Sequence, residues 1–296
     1  MRRYRLIHVD VFTRTRFGGN QLAVLPEAEG LSDDEMQAIS REMNFSETTF
    51  VLPPTDPTAD ARVRIFTPGR ELPFAGHPVV GTSFVLARES GKRDLRLELK
   101  IGTLGVQADP GDGVIGEAEM EQHVPTFSPP PNGDPAVLAG LLGLTADELA
   151  LETPAEIGSS GNPFLYVRLR SLDAVRRARG MSDALASYFA GLDHPAVYAF
   201  STKAESPEAA AHARMFSLAL GAEVREDPAT GSASGPAGGY LLRHGLVGPG
   251  RILLEQGYEM LRPSQINVGL TVQDGALTGV TVGGGVVLVA EGSLLA

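Results

Sequence analysis

Two short stretches of this chain place chemistry-bearing side chains beside its smallest residues. In "ELPFAGH", Ala75, Gly76 and His77 follow Glu71; in "EDPATGS", Thr230, Gly231 and Ser232 follow Glu226 and Asp227. Small side chains leave backbone N–H groups uncovered. Where such a turn runs into a helix start, those groups and the positive end of the helix dipole favour an anion. The chemistry this allows is the holding of a substrate carboxylate on bare backbone. At a helix start His77 is expected to stay neutral, because the dipole disfavours the imidazolium. Glu47, in "NFSETTFVL", leads from a helix end into an apolar strand. A carboxylate placed there is partly desolvated, with a raised pKa suited to a general base. Each residue also has a plainer reading. Glu47 is then a loop acid, His77 a capping or core residue, Asp227 a turn acid and Ser232 an N-cap, while the glycines merely permit tight turns.

The elements that must position these residues are legible in outline. "YRLIHVDVF" alternates like a strand, and "LSDDEMQAISREMN" predicts a helix with Ser32 as N-cap and Glu35 at capping-box spacing. "TTFVLPP" and "ARVRIFTP" are strands closed by proline. "GHPVVGTSFVLARESG" is apolar nearly all round, which predicts a buried helix ending at glycine. "LRLELK", "GTLGVQAD" and "VIGEAEM" follow as strands, "PPPNGDP" (129–135) as a linker and "AVLAGLLGLTADELA" as a helix. The second half repeats the grammar, with strands at "NPFLYVRL" and "AVYAFST", an apolar helix at "GPAGGYLLRHG", and strands at "ILLEQG", "QINVGLTV" and "LTGVTVGGGVVLVA". Both opening stretches fit Glu-x-Pro-x-x-Gly-[His/Ser] and both precede a buried helix. Glu71 and Glu226, Pro73 and Pro228, and Gly76 and Gly231 share one offset, about half the chain. A duplicated domain is the expectation, with both helix starts facing one cleft if the halves oppose each other about a pseudo-two-fold axis.

Composition narrows the classes. A net charge of −11 and a pI near 5.0 argue against nucleic acid or an anionic membrane surface as partner. The absence of cysteine removes disulfides, thiolate nucleophiles and cysteine metal sites. With no apolar signal core and no apolar run long enough to span a bilayer, the expected compartment is the cytoplasm and the sequon at Asn44 is chance. "GDGVIG" (111–116) matches a dinucleotide pattern but precedes a strand rather than a helix, so no nucleotide is expected. "GSASG" has alanine where a nucleophile elbow needs serine. His8, His77, His123, His194, His212 and His244 show no paired metal spacing, so no metal is expected.

"FGGNQLAV", "REMNFSETTFVL", "RIFTPGRELPFAGHPVVGT", "RMF", "EDPATGSASGP", "RHG", "EQG" and "RPS" occur in the order found in the PhzF-like phenazine-biosynthesis family, from about residue 4 onward. The chain closely resembles that family. The resemblance implies an α+β, diaminopimelate-epimerase-like fold: two pseudo-symmetric domains, each a curled, mostly antiparallel sheet or barrel around a central helix, with the active site between them. On that pattern residues 1–126 form the first domain, joined by a last strand at about 284–296, and 127–283 the second. In related epimerases and racemases a thiol stands before each glycine turn; the matching positions here are Ala75 and Thr230, neither of which exchanges a proton. A two-thiol racemase is therefore chemically closed to this chain. The resemblance instead assigns proton transfer to Glu47, with His77, Asp227 and Ser232 at the other active-site positions and a substrate carboxylate near Gly76 and Gly231. The family reaction it implies is cofactor-free isomerisation of trans-2,3-dihydro-3-hydroxyanthranilate, in a homodimer. Gln21, Leu218 and Leu261 depart from the family's usual proline, proline and glycine. The alternatives are a catalytically silent carboxylate-binding or protein-interaction member, or an epimerase that uses no cysteine.

Overall fold

Alternating apolar residues build the first strand, β1 (Arg3–Val11), with Ile7, Val9 and Val11 buried. In this computed structural model, which describes residues 1–192, 195–218 and 225–296, β1 belongs to the first of two units. That unit comprises Met1–Glu121 and Gly283–Ala296; the second comprises Gln122–Val282. Within the first, β1 pairs antiparallel with β2 (Asn20–Leu25), and β2 runs parallel to β3 (Glu47–Leu52). The crossover is α1 (Asp33–Met43), which starts as the capping pattern predicts. Ser32 Oγ accepts the Glu35 N–H, and the Glu35 carboxylate accepts the Ser32 N–H. Met36 and Ile39 pack this helix on Leu25, Phe50 and Phe66.

β4 (Ala61–Phe66) is antiparallel to β3 and to the short β5 (Glu71–Leu72), and parallel to β6 (Asp94–Leu99), which follows α2 (Gly76–Ser90). β6, β7 (Gly102–Asp109) and β8 (Ile115–Gln122) form an antiparallel meander. "GDGVIG" tips its last hairpin, where Asp112 accepts the N–H groups of Val114 and Ile115. The last strand of the chain pairs with both β8 and β1, so the sheet closes on itself. α2 is buried on nearly every side and packs on β1, β2, β3 and β7. Gly81 is where it comes closest, since a Cβ there would lie 2.6 Å from Leu22 and 2.8 Å from Val11. Fully buried Val79, Val80 and Phe84 each contribute roughly 1.5–3 kcal/mol of apolar burial.

The second unit contains β9 (Thr126–Ser128), α3 (Pro135–Gly140), β10 (Glu156–Ser159), β11 (Pro163–Arg168), α4 (Leu172–Arg177), α5 (Ser182–Tyr188), β12 (Ala196–Ser201) and β13 (Ala209–Ser217). It continues through β14 (Arg225–Asp227), α6 (Gly231–Arg243), β15 (Gly250–Gln256), β16 (Ser264–Gln273) and the start of β17 (Ala276–Leu295). Its pairings repeat those of the first unit. β10 is antiparallel to β11, β11 parallel to β12, β12 antiparallel to β13, and β13 antiparallel to β14 but parallel to β15. α6 takes the place of α2 and is buried from Gly231 to Leu241. β16 turns into β17 at Asp274 and Gly275, both left-handed as a two-residue hairpin requires.

The repeat extends to side chains. Arg64 pairs bidentately with Glu71 across β4 and β5, and Arg214 does the same with Glu226 across β13 and β14. Each guanidinium also lies over a phenylalanine two residues on, 5.0 Å from Phe66 and 4.9 Å from Phe216. The Glu-x-Pro pattern is thus the second half of an Arg-x-Phe/Glu-x-Pro brace.

Three expectations change. "AVLAGLLGLTADELA" is not one helix: α3 stops at Gly140, Gly143 is left-handed (φ 66°), and Thr145 caps a separate 3-10 turn, Ala146–Glu148. α6 begins four residues before the predicted Gly235, because Pro236 is accommodated inside it. The proline-rich stretch 129–135, read as a linker, lies inside the second unit. There Asp134 caps α3, and Asn132 accepts a hydrogen bond from the Tyr188 hydroxyl.

Candidate active site

Glu47 opens β3, directly after the left-handed Asn44 and Phe45–Ser46 turn the chain out of α1. The parallel register with β2 sets it beside Leu22, and the carboxylate is buried at 6% exposure. His77 is the second residue of α2, after Ala75, which offers no side-chain cap, and Gly76. Its Nε2 lies 3.3 Å from Glu47 Oε2. Its Nδ1 lies 3.1 Å from Nδ2 of Asn20, at the start of β2 and itself buried. An amide nitrogen can only donate, so Nδ1 accepts and the ring proton belongs on Nε2. Burial pushes the His77 pKa down to about 3, partly opposed by a backbone hydrogen bond at Gln21. The imidazole is therefore neutral, and the 3.3 Å approach is that of a neutral N–H to a carboxyl group rather than an ion pair.

Asn20 is aimed by its predecessor. Gly19 has φ 62°, and a Cβ there would lie 2.2 Å from the Val11 carbonyl oxygen. Only glycine makes this turn, and it delivers Asn20 to the histidine.

The other expected residues lie along one turn of the second unit. Asp227 ends β14, 5% exposed, and Thr230 precedes α6, whose first two residues are Gly231 and Ser232. Thr230 Oγ1 donates to Asp227 Oδ2 at 2.6 Å. Gln256, completely buried at the end of β15, donates from Nε2 to the Asp227 carbonyl (2.7 Å) and to Thr230 Oγ1 (2.9 Å), and its Oε1 accepts the Thr230 N–H (3.2 Å). Gln122 Nε2 donates to the Gly231 carbonyl, and Ser264 Oγ to the Pro228 carbonyl. Gly231 and Ser232, like Gly76 and His77 in α2, stand at helix positions whose N–H groups have no partner in the preceding turn.

The predicted residues therefore fall into two sets of four: Glu47, Ala75, Gly76 and His77 in the first unit, and Asp227, Thr230, Gly231 and Ser232 in the second. Asn20 and Gln256 were not singled out from the sequence, although both sit in quoted motifs. Their signal is an amide side chain adjoining a glycine with positive φ, Gly19 and Gly257. Of the departures, Gln21 pairs with Asp10 across β1 and β2, Leu218 packs against the α3–α5 core, and Leu261 stands exposed with φ 57°. Among the described residues no group of three or more His, Asp or Glu is placed to hold a metal ion; His194 lies outside them.

Each unit thus carries a buried glycine turn at a helix start, and the turn of the first unit bears a carboxyl–imidazole pair. Residues 9–292 match the family model described as phenazine biosynthesis-like protein, and the chain belongs to that family. It is 38% identical over 298 residues to an uncharacterized isomerase of Mesorhizobium japonicum, covering 96% of each chain. It is 36% identical over 294 residues to the trans-2,3-dihydro-3-hydroxyanthranilate isomerase of Pseudomonas aeruginosa, covering 98% of each. The crystal structure of the Bacillus anthracis phenazine biosynthesis protein, PhzF family, superposes with a TM-score of 0.88 at 30% identity, covering all of both chains. The protein is an enzyme of the isomerase class with an epimerase-like fold.

Proposed function

We propose that the chain is a cofactor-independent isomerase that moves a proton between carbons of a small cyclic carboxylate, with Glu47 as the acid/base. The observation that carries this reading is the buried Glu47–His77 pair. The carboxylate is buried at 6% exposure beside an imidazole that burial keeps neutral, and a carboxylate shielded from water is the kind of group that can act as a base on carbon. The chain has no cysteine, and Ala75 and Thr230 occupy the positions before the two glycine turns. Glu47 is therefore proposed both to take the proton and to return it, to the same face of the substrate. His77, with Asp227 and Ser232, is proposed to hold the ring and its polar substituents. Asp227, Thr230, Gly231 and Ser232 are proposed as substrate-binding groups, and the uncovered N–H groups at Gly76 and Gly231 as the carboxylate's donors.

The substrate class follows from the relative named trans-2,3-dihydro-3-hydroxyanthranilate isomerase. In deuterium oxide, purified protein given that compound is expected to bleach its starting absorbance and place one deuteron on a ring carbon. Glu47→Gln should slow both by a factor on the order of 10²–10⁴. Equal rates in the two proteins would remove Glu47 from the mechanism.

A further inference from the structure

The second cluster contains a hydrogen-bond order that the proton-transfer reading does not use. Gln256 is completely buried, and both ends of its amide are engaged by the Asp227–Thr230 turn. Nε2 has only hydrogens to offer, so Thr230 Oγ1 accepts from it at 2.9 Å. The hydroxyl's single hydrogen is left for its other neighbour, Asp227 Oδ2, at 2.6 Å. The donors thus run one way, from Gln256 to Thr230 to Asp227, and end on a group required to accept. A short O–H···O contact of this kind is strongest when the acceptor is an ionised carboxylate. At 5% exposure Asp227 has little water to stabilise its charge, and the hydroxyl takes over part of that task.

Gln256 is well fixed for the purpose. It lies in register with Ala213 on β13 and Ser264 on β16. Gly257 follows with φ 80°, and a Cβ there would lie 2.4 Å from the Pro228 carbonyl oxygen and 2.5 Å from that of Arg262. The strand end is therefore wedged against the turn it serves. Of the charged groups on the adjoining strands, Arg214 of β13 pairs with Glu226 of β14, and His212 of β13 with Glu255 of β15 and with Glu259, while Arg225 of β14 and Arg251 of β15 stand exposed.

We infer that Gln256 is a positioning residue acting through Thr230: it fixes the direction of the Thr230 hydroxyl and so keeps Asp227 ionised and its carboxylate in one orientation. The purpose of that orientation rests on the reading of Asp227 as a substrate-binding group; the donor order itself does not. The test is the titration of Asp227 in protein carrying carboxyl-labelled aspartate, with its NMR signal assigned by its loss in Asp227→Asn. Thr230→Val and Gln256→Met are expected to raise the midpoint by about one unit, a tenfold change in acid constant, and Thr230→Ser to restore it. Should Gln256→Met not fold, Gln256→Leu, which removes the donors without adding a charge, takes its place with the same expected direction. Midpoints in the Thr230→Val and Gln256 variants equal to wild type would overturn the inference, as would a Thr230→Ser midpoint no lower than that of Thr230→Val. The titration needs no substrate. A protein inert towards dihydrohydroxyanthranilate would therefore sink the isomerase reading while leaving this result to stand or fall by itself.

Discussion

His77 and Asn20 show how much of the chemistry rests on single contacts. The imidazole is buried at 3% exposure, and its pKa of about 3 lies well below the ordinary 6.5. The unfolded chain binds a proton there below about pH 6.5 while the folded chain refuses it until about pH 3. His77 therefore costs stability as the pH falls through that window and costs nothing above it. Its ring resonances are expected to stay flat from about pH 5 to 8 in an NMR titration; a midpoint inside that range would mean a charged imidazole beside Glu47. Asn20→Ala leaves Nδ1 of a buried ring without its 3.1 Å partner, and should cost about 1–3 kcal/mol in denaturant unfolding together with a loss of proton exchange. Glu47 and His77 draw notice by their places at a strand start and a helix start, but each also has an ordinary reading there, and it is the family resemblance that assigns them roles. Asn20 and Gln256 draw no notice, because an amide gains its meaning only from what lies opposite, and sequence spacing does not supply that.

At the scale of elements, β13, β15 and the 3-10 turn Tyr258–Met260 are tied by a buried ion triad. His212 Nδ1 and Nε2 each lie 3.0 Å from a carboxylate oxygen, of Glu255 and Glu259, and the Tyr258 ring packs edge-on against the imidazole. Burial works against the charge, yet hydrogen bonds to the two carboxylates outweigh it and hold the imidazolium up to about pH 9. The same contacts lower the Glu255 and Glu259 pKa values against their own burial. The histidine's contribution is full below about pH 6.5 and is lost as the pH rises through 9; that of the carboxylates is lost as the pH falls below about 4.5. His212→Asn should therefore lower the unfolding midpoint more at about pH 6 than at about pH 9.5, and an equal deficit at both would count against a charged histidine. Leu261, at the end of the same 3-10 turn, is 86% exposed with φ 57°. It buries almost nothing and holds a conformation that suits glycine, so Leu261→Gly should raise stability by about 0.5–1 kcal/mol in a denaturant titration. Periodicity found the capped helix α1 and the two buried helices because their patterns were strong. It lost "AVLAGLLGLTADELA" because Gly143 breaks an apolar run that composition alone reads as continuous.

For the molecule as a whole, one motif stood for more than it showed. The two Glu-x-Pro-x-x-Gly matches suggested duplication, and the structure extends the likeness to strand pairing and to the Arg64–Glu71 and Arg214–Glu226 braces. The arginines precede their glutamates by unequal distances, so a search for one constant offset passes over them. A homodimer is proposed for the working assembly, and sedimentation at micromolar concentration is expected to give twice the 31.2 kDa chain mass. The first unit is also discontinuous, since β1 pairs with residues from Val286 to Leu295 while Gln122–Val282 belong to the other unit. During synthesis on the ribosome, then, the gap between the edges of β1 and β8 must stay open until the whole second unit has emerged and β17 arrives to pair with both. A nascent chain halted before Gly283 would present that gap to chaperones and proteases, however soundly its later half had already folded.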